Sequence, residues 1–161
     1  MANLVERVRR NHGLEHATIT VMLNRQGPMR VIGRAVPDGF YVYANVDTDK
    51  LREYSAEALD RLQAGEAHLA VTPLCGTNLV VAGVLAGVGS YLATTSGRRG
   101  LDRLATSTLA ALVGVIAAQP LGRLAQKYAT TSPDLAGIRI VDVRRMGGRS
   151  VHKVMTAPVP Q

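Results

Sequence analysis

The sequence has no tryptophan, one phenylalanine and one cysteine in 161 residues. So few rings exclude an aromatic core, and any interior must be built from Val, Leu, Ile and Ala. A lone Cys75 excludes an internal disulfide and fits a reducing compartment. The amino terminus, Met-Ala-Asn-Leu-Val-Glu-Arg, lacks the apolar centre of a cleavable signal, so a secreted product is not expected. The most informative absence is of charge. No Asp, Glu, Lys or Arg occurs in the 31 residues from Ala67 to Gly97, nor from Leu104 to Gly122. A helix crossing a hydrocarbon core about 30 Å thick needs roughly 20 apolar residues. The two stretches therefore predict a transmembrane helical hairpin, with spans at about 77–97 and 104–122.

The charge that is present is placed unevenly. Residues 1–97 carry nine basic and nine acidic side chains, whereas residues 98–161 carry ten basic and three acidic ones. Basic residues bordering spans meet anionic headgroups, so the lipid bilayer is the first expected partner. Nucleic acid is not expected, because no aromatic residues interleave with these arginines along the chain. Arg98, Arg99 and Arg103 favour a cytoplasmic loop, but Arg61, Arg123, Lys127 and Arg139 on the other side nearly balance them. An amino-terminal segment of about seventy residues without a signal is awkward to translocate. The expected location is thus the cell (inner or plasma) membrane, multi-pass, with both termini in the cytoplasm.

Between the charge-free stretches and the termini, the pattern alternates between helix and strand. Val5, Val8, His12, His16, Ile19 and Leu23 recur at three and four, which predicts one buried stripe on a helix over residues 3–24. Val31-Ile32 and Phe40–Val46 read as a hairpin joined around Pro37-Asp38-Gly39. Asp47-Thr48-Asp49 predicts a capped helix over 50–64, ended by Gly65. A short strand is expected from His68 to Val71. Beyond the second span, Ile138–Val143 and Ser150–Thr156 read as strands turned by Gly147-Gly148. His152 is expected as an exposed strand histidine beside Lys153. The class is α+β: a helix/sheet segment (1–72), an inserted two-helix hairpin (73–128), and strands completing the sheet (129–161). Within the spans, Gly83 and Gly87 face Ala110, Gly114 and Ala118 as small-residue contacts. Pro120 should kink or end the second span.

Two motifs carry chemistry. His12-Gly13-Leu14-Glu15-His16 sets two imidazoles one turn apart, with a carboxylate three residues after the first. That His-x-x-Glu-His spacing suits two zinc ligands and a general base, Glu15. The bland alternative is a pair of hydrogen-bonded core histidines. Pro73-Leu74-Cys75-Gly76-Thr77-Asn78 opens the first span; with Thr77 or Asn78 as cap, Cys75 lies beside a helix N-terminus, where a thiolate is favoured.

Together these elements resemble a family of uncharacterised bacterial membrane proteins described as metal-dependent enzymes. That family combines His-Gly-x-Glu-His with a later His-Pro-x-Cys-Gly-Thr that opens a transmembrane helix. The first element is complete here (His12, Gly13, Glu15, His16), and the second matches at Pro73, Cys75, Gly76 and Thr77. Thr72 stands where the resemblance expects a histidine, leaving His68 as the substitute. The resemblance implies a zinc or other divalent transition-metal site of His12, His16 and Cys75, with His68 as a further candidate. The expected function is a membrane metal site, with a metal-dependent hydrolase using Glu15 as its catalytic form. The alternative is a non-catalytic membrane subunit or assembly factor, in a homo-oligomer or larger complex, with the cluster structural.

Overall fold

The computed structural model describes residues 3–95, 99–147 and 150–160. Four helices, α1 (Leu4–Gln26), α2 (Thr48–Gln63), α3 (Gly76–Thr94) and α4 (Gly100–Ala125), accompany four strands, β1 (Ile32–Val36), β2 (Gly39–Tyr43), β3 (Ile138–Arg145) and β4 (Val151–Pro158). They form two compact units, Met1–Thr72 with Lys127–Gln161, and Pro73–Gln126.

The first unit is an antiparallel sheet, ordered β1-β2-β4-β3, with α1 and α2 on one face. Asn3 starts α1 by accepting the Glu6 amide at 2.8 Å, and Gly27 stops it at φ +84°. Asp47 starts α2 by accepting the Asp49 and Lys50 amides. Those bonds hold its carboxyl below the usual carboxylate range. Pro37 and Asp38 make the two-residue turn between β1 and β2. Gly39 follows at φ +142°, and a Cβ there would run into the Val154 carbonyl of β4. The β2–β4 pairing matters most, because it joins strands from either side of the apolar helices, Phe40 opposite Val154 and Val42 opposite His152. The core lies between this sheet face and the helices, from Phe40, Val42, Val143 and Val154 against Leu14, Val21, Met22 and Leu51.

Several elements differ from the sequence reading. The α1 stripe is displaced: Val5 is 66% exposed, and the buried arc runs through Asn11, Leu14, Glu15, Thr18, Val21 and Met22. Polar residues join that arc because their hydrogen bonds are met, Thr18 by the Leu14 carbonyl and Asn11 by Val36 and Thr156. Residues expected as a strand form a 3₁₀ turn, Ala67–Ala70. The Leu69 and Val71 amides bond back three residues, to the Glu66 and His68 carbonyls, which is 3₁₀ geometry. His152 is fully buried rather than exposed, because β4 is a central strand and this side faces the helices. The expected Gly147-Gly148 turn lies partly outside the described residues.

The second unit pairs α3 with α4. Cys75 caps α3, its sulfur accepting the Thr77 amide at 3.4 Å. A Cβ on Gly114 would meet the Leu85 carbonyl carbon at 2.7 Å, and one on Gly89 the Ala110 oxygen at 3.0 Å. Helix contact therefore uses Gly89 and Gly114; Gly83 and Gly87 meet nothing within 4 Å, so the small-residue face of α3 lies elsewhere than expected. Ser90 adds a hydrogen bond to the Ser107 carbonyl. At the other end the buried Asn78 donates to Pro73 and accepts from Gln126, and Gly122 leaves room for its amide. Leu101, Asp102 and Arg103 belong to α4 rather than to the loop, with Asp102 in the first turn, where a carboxylate suits the helix dipole. Pro120 does not end α4, which runs on to Ala125 and a π turn, Gln126–Thr130. Both helices are long and apolar enough to span a membrane. Residues 96–98, part of the first expected span and its loop, lie outside the described set.

Among the described residues neither ring nitrogen of His152 has a hydrogen-bond partner. Burial pushes its pKa below the usual value, Arg145 adds to this, and Asp47 opposes it. The native state thus keeps a neutral ring where the unfolded chain takes up a proton. Stability should fall as pH drops below about 6.5, by at most about 1.4 kcal/mol per pH unit. Denaturation midpoints between about pH 7.5 and about pH 5.5 should show a smaller decline in His152→Leu; an equal decline would refute the assignment.

Candidate metal centre

Both histidines sit on α1 at i and i+4, with ring centroids 4.3 Å apart and planes at 63°. His16 is buried and His12 partly so. Their surroundings are built by Gly13, between them. A Cβ on Gly13 would collide with the Ser132 carbonyl and sit 3.3 Å from Ala70 Cβ. The missing side chain lets two backbone segments lie directly against the helix, one ending the 3₁₀ turn and one following α4. Arg9 pins the second, donating to the Tyr128 and Thr131 carbonyls, while the Ser132 amide donates to the Arg9 carbonyl at 2.9 Å.

Each imidazole is fixed by one of these segments. His12 Nδ1 lies 2.9 Å from the Thr130 carbonyl, and His16 Nδ1 lies 2.8 Å from the Ala70 carbonyl. A carbonyl oxygen only accepts, so both Nδ1 atoms carry the proton. In the neutral form of either ring the lone pair then lies on Nε2, the tautomer that metal-ligating histidines adopt when a backbone carbonyl orients them.

Glu15 turns toward the sheet. It is 5% exposed, and its carboxylate fills the space that a side chain at Gly33 of β1 would take. Gly33 is a site residue that sequence spacing did not reveal. Only a glycine in a strand opposite the motif could have hinted at it. Asn11 was also missed. It is buried one position before His12, its Nδ2 on the Val36 carbonyl at 2.8 Å and its Oδ1 accepting Thr156 Oγ1 at 2.7 Å. It locks α1 to β1 and β4, and so sets the helix rotation that aims both rings.

The remaining candidates are placed differently. Cys75, in the second unit, is buried at the start of α3, its sulfur engaged with Thr77. His68 is exposed on the 3₁₀ turn, and Thr72 ends the first unit's amino-terminal part. Two imidazole nitrogens and a sulfur are donors that a transition-metal ion can use.

Comparison with known proteins adds ancestry and no activity. An uncharacterized protein from Picosynechococcus sp. (strain PCC 7002) is 33% identical over 135 residues, covering 78% of this chain. The chain spans 66% of that relative's length. No solved structure matches. A domain of unknown function matches residues 7–143, from the first turn of α1 into β3. The chain thus belongs to the family of domains of unknown function DUF6391.

Proposed function

We propose that the chain is an integral membrane protein in which His12, His16 and Cys75 hold a divalent transition metal, zinc first, beside a bilayer crossed by α3 and α4. One observation carries the metal reading: both imidazoles are fixed by backbone carbonyls at Nδ1, with their rings in contact. Core histidines need one satisfied nitrogen each; two in adjacent turns with the same tautomer suit a shared ligand. The tether favours Cys75 as third donor. Ala70, whose carbonyl holds His16, precedes it by five residues, a reach of at most about 18 Å. Imidazole and thiolate together suit zinc. When bound, the metal would supply Lewis acidity and an acidified water.

Membrane insertion is supported by what α3 and α4 expose. Leu79 is 77% and Ile116 71% exposed, with Val80, Tyr91, Leu109 and Val113 close behind. Apolar surface on that scale belongs against lipid or a partner. In this reading α3 and α4 lie in an inner membrane with cytoplasmic termini, because a segment of about seventy residues ahead of the first span is awkward to translocate, and anionic headgroups suit the flanking arginines.

In the catalytic form of this reading, Glu15 accepts a proton at its carboxylate as the base of a hydrolase. A second reading has a specific observation in its favour. Glu15 is shut in against Gly33, which suits a carboxylate that holds α1 to β1 in a non-catalytic subunit with a structural ion.

Three experiments test these assignments. The protein should stay with membranes through an alkaline wash and need detergent for release; recovery in the soluble fraction would end the transmembrane reading. Elemental analysis should find about one metal ion per chain, lost in His12→Ala/His16→Ala. Cys75→Ser should weaken binding by more than the roughly 10–100-fold that loss of an outer partner costs. Unchanged metal content in both variants would refute the site. Glu15→Gln should keep the metal and, if the protein is a hydrolase, lower turnover about 10²–10⁴-fold. Full turnover with a lowered unfolding midpoint would assign Glu15 to structure instead.

A further inference from the structure

The sheet of the first unit has a second face, turned away from α1 and α2. The pairing register places Arg34, Tyr41, Lys153 and Arg144 in one row across all four strands. The next row holds Ile32, Tyr43 and Val151. Ile32 is 69% and Tyr43 38% exposed, and the Arg144 side chain is 57% exposed. The two tyrosine rings lie 6.4 Å apart, tilted by 31°, and the Lys153 ammonium sits 5.3 Å from the Tyr41 centroid. In linear order these residues are scattered over more than a hundred positions. The sheet interleaves cation and ring where the chain does not.

Two features point to an anionic occupant. Lys153 and Arg144 stand directly opposite each other, and like charges so placed destabilise a strand pair. Acidic residues answer the row only in part. Asp38 binds Lys153 at 2.5 Å, and Asp142 lies 3.9 Å from Arg144 Nε. Arg34 has no carboxylate within ion-pair distance among the described residues. The outer cations, Arg34 and Arg144, are separated by three strand spacings, about 14 Å. Beside that row runs a parallel strip of aromatic and aliphatic surface, Ile32, Tyr43 and Val151.

We propose that this face binds single-stranded nucleic acid, phosphates at Arg34 and Arg144 on the two ends of the row and a base stacked on Tyr43, with Lys153, largely covered and paired to Asp38, left as part of the platform. Charge complementarity supplies attraction, and the exposed ring supplies a sequence-tolerant platform. An A-form or B-form duplex hides its base faces and cannot use Tyr43.

The test uses the full chain in neutral detergent and a fluorescein-labelled single-stranded oligouridine, read by anisotropy. Binding should saturate, exceed that of a matched duplex, and weaken roughly 5- to 100-fold in Tyr43→Ala. The slope of log affinity against log salt should become shallower by about 1.4 in Arg34→Ala/Arg144→Ala. Arg25→Ala, on the helix side, should bind as the parent does, and matching circular dichroism of all variants shows that each still folds. Absence of saturable binding at low salt would overturn the proposal. So would equal affinity for the duplex, or indifference to Tyr43→Ala. Oligouridine failing to compete with anionic-lipid nanodiscs for the Arg34/Arg144 row would overturn it in favour of a lipid surface.

Discussion

The hydrogen bonds from His12 to Thr130 and from His16 to Ala70 do more than orient two rings. Ala70 stands just before the chain departs into α3, and Thr130 just after it returns from α4. Fifty-four residues, 73 to 126, separate the two parts of the first unit. Closing a loop of that length costs entropy that grows slowly with length. The cost is met by β2–β4 pairing at the middle of the sheet and by α1 gripping both segments. Each such bond is worth about 1 kcal/mol net, but a buried carbonyl left without a donor costs about 1–3 kcal/mol. The same atoms that orient the two imidazoles therefore also close the fold.

That double duty explains the crowding of polar groups on α1. Asn11, Glu15, His16 and Thr18 are all buried on a helix whose neighbours are Leu14, Ala17 and Val21. An apolar face would pack as well at lower desolvation cost. What the polar set adds is uniqueness, because Asn11 accepts one rotation of the helix, and Glu15 fits only where Gly33 leaves a gap. Gly13 and Gly33 are the complementary hollows that this arrangement requires.

Much of this was legible in the chain. Caps at Asp47, the turn at Pro37-Asp38 and the strands 138–143 and 150–156 announced themselves through local chemistry, and the two charge-free stretches did become long apolar helices. The His-x-x-Glu-His spacing placed both imidazoles on one side of a helix, as the ring contact confirms. What stayed hidden depended on partners distant in sequence. The α1 stripe was misplaced because hydrogen-bonded Asn11 and Thr18 are buried like apolar residues. His152 looked exposed because its strand's central position is set by a pairing more than a hundred residues away. The hairpin contact moved from Gly83 and Gly87 to Gly89 because several glycines in α3 fit the same pattern.

The strand order carries a consequence for how the protein matures. β2 lies beside β1 on one side and beside β4 on the other, and β4 follows both apolar helices in the chain. Throughout synthesis of both apolar helices, the outer amides and carbonyls of β2 remain open to any extended chain nearby. Three residues of that strand, Phe40, Val42 and Tyr43, would be adhesive in that interval. The nascent chain must therefore pass through a vulnerable half-sheet whose rescue arrives only with β4, and any delay at the ribosome lengthens that exposure.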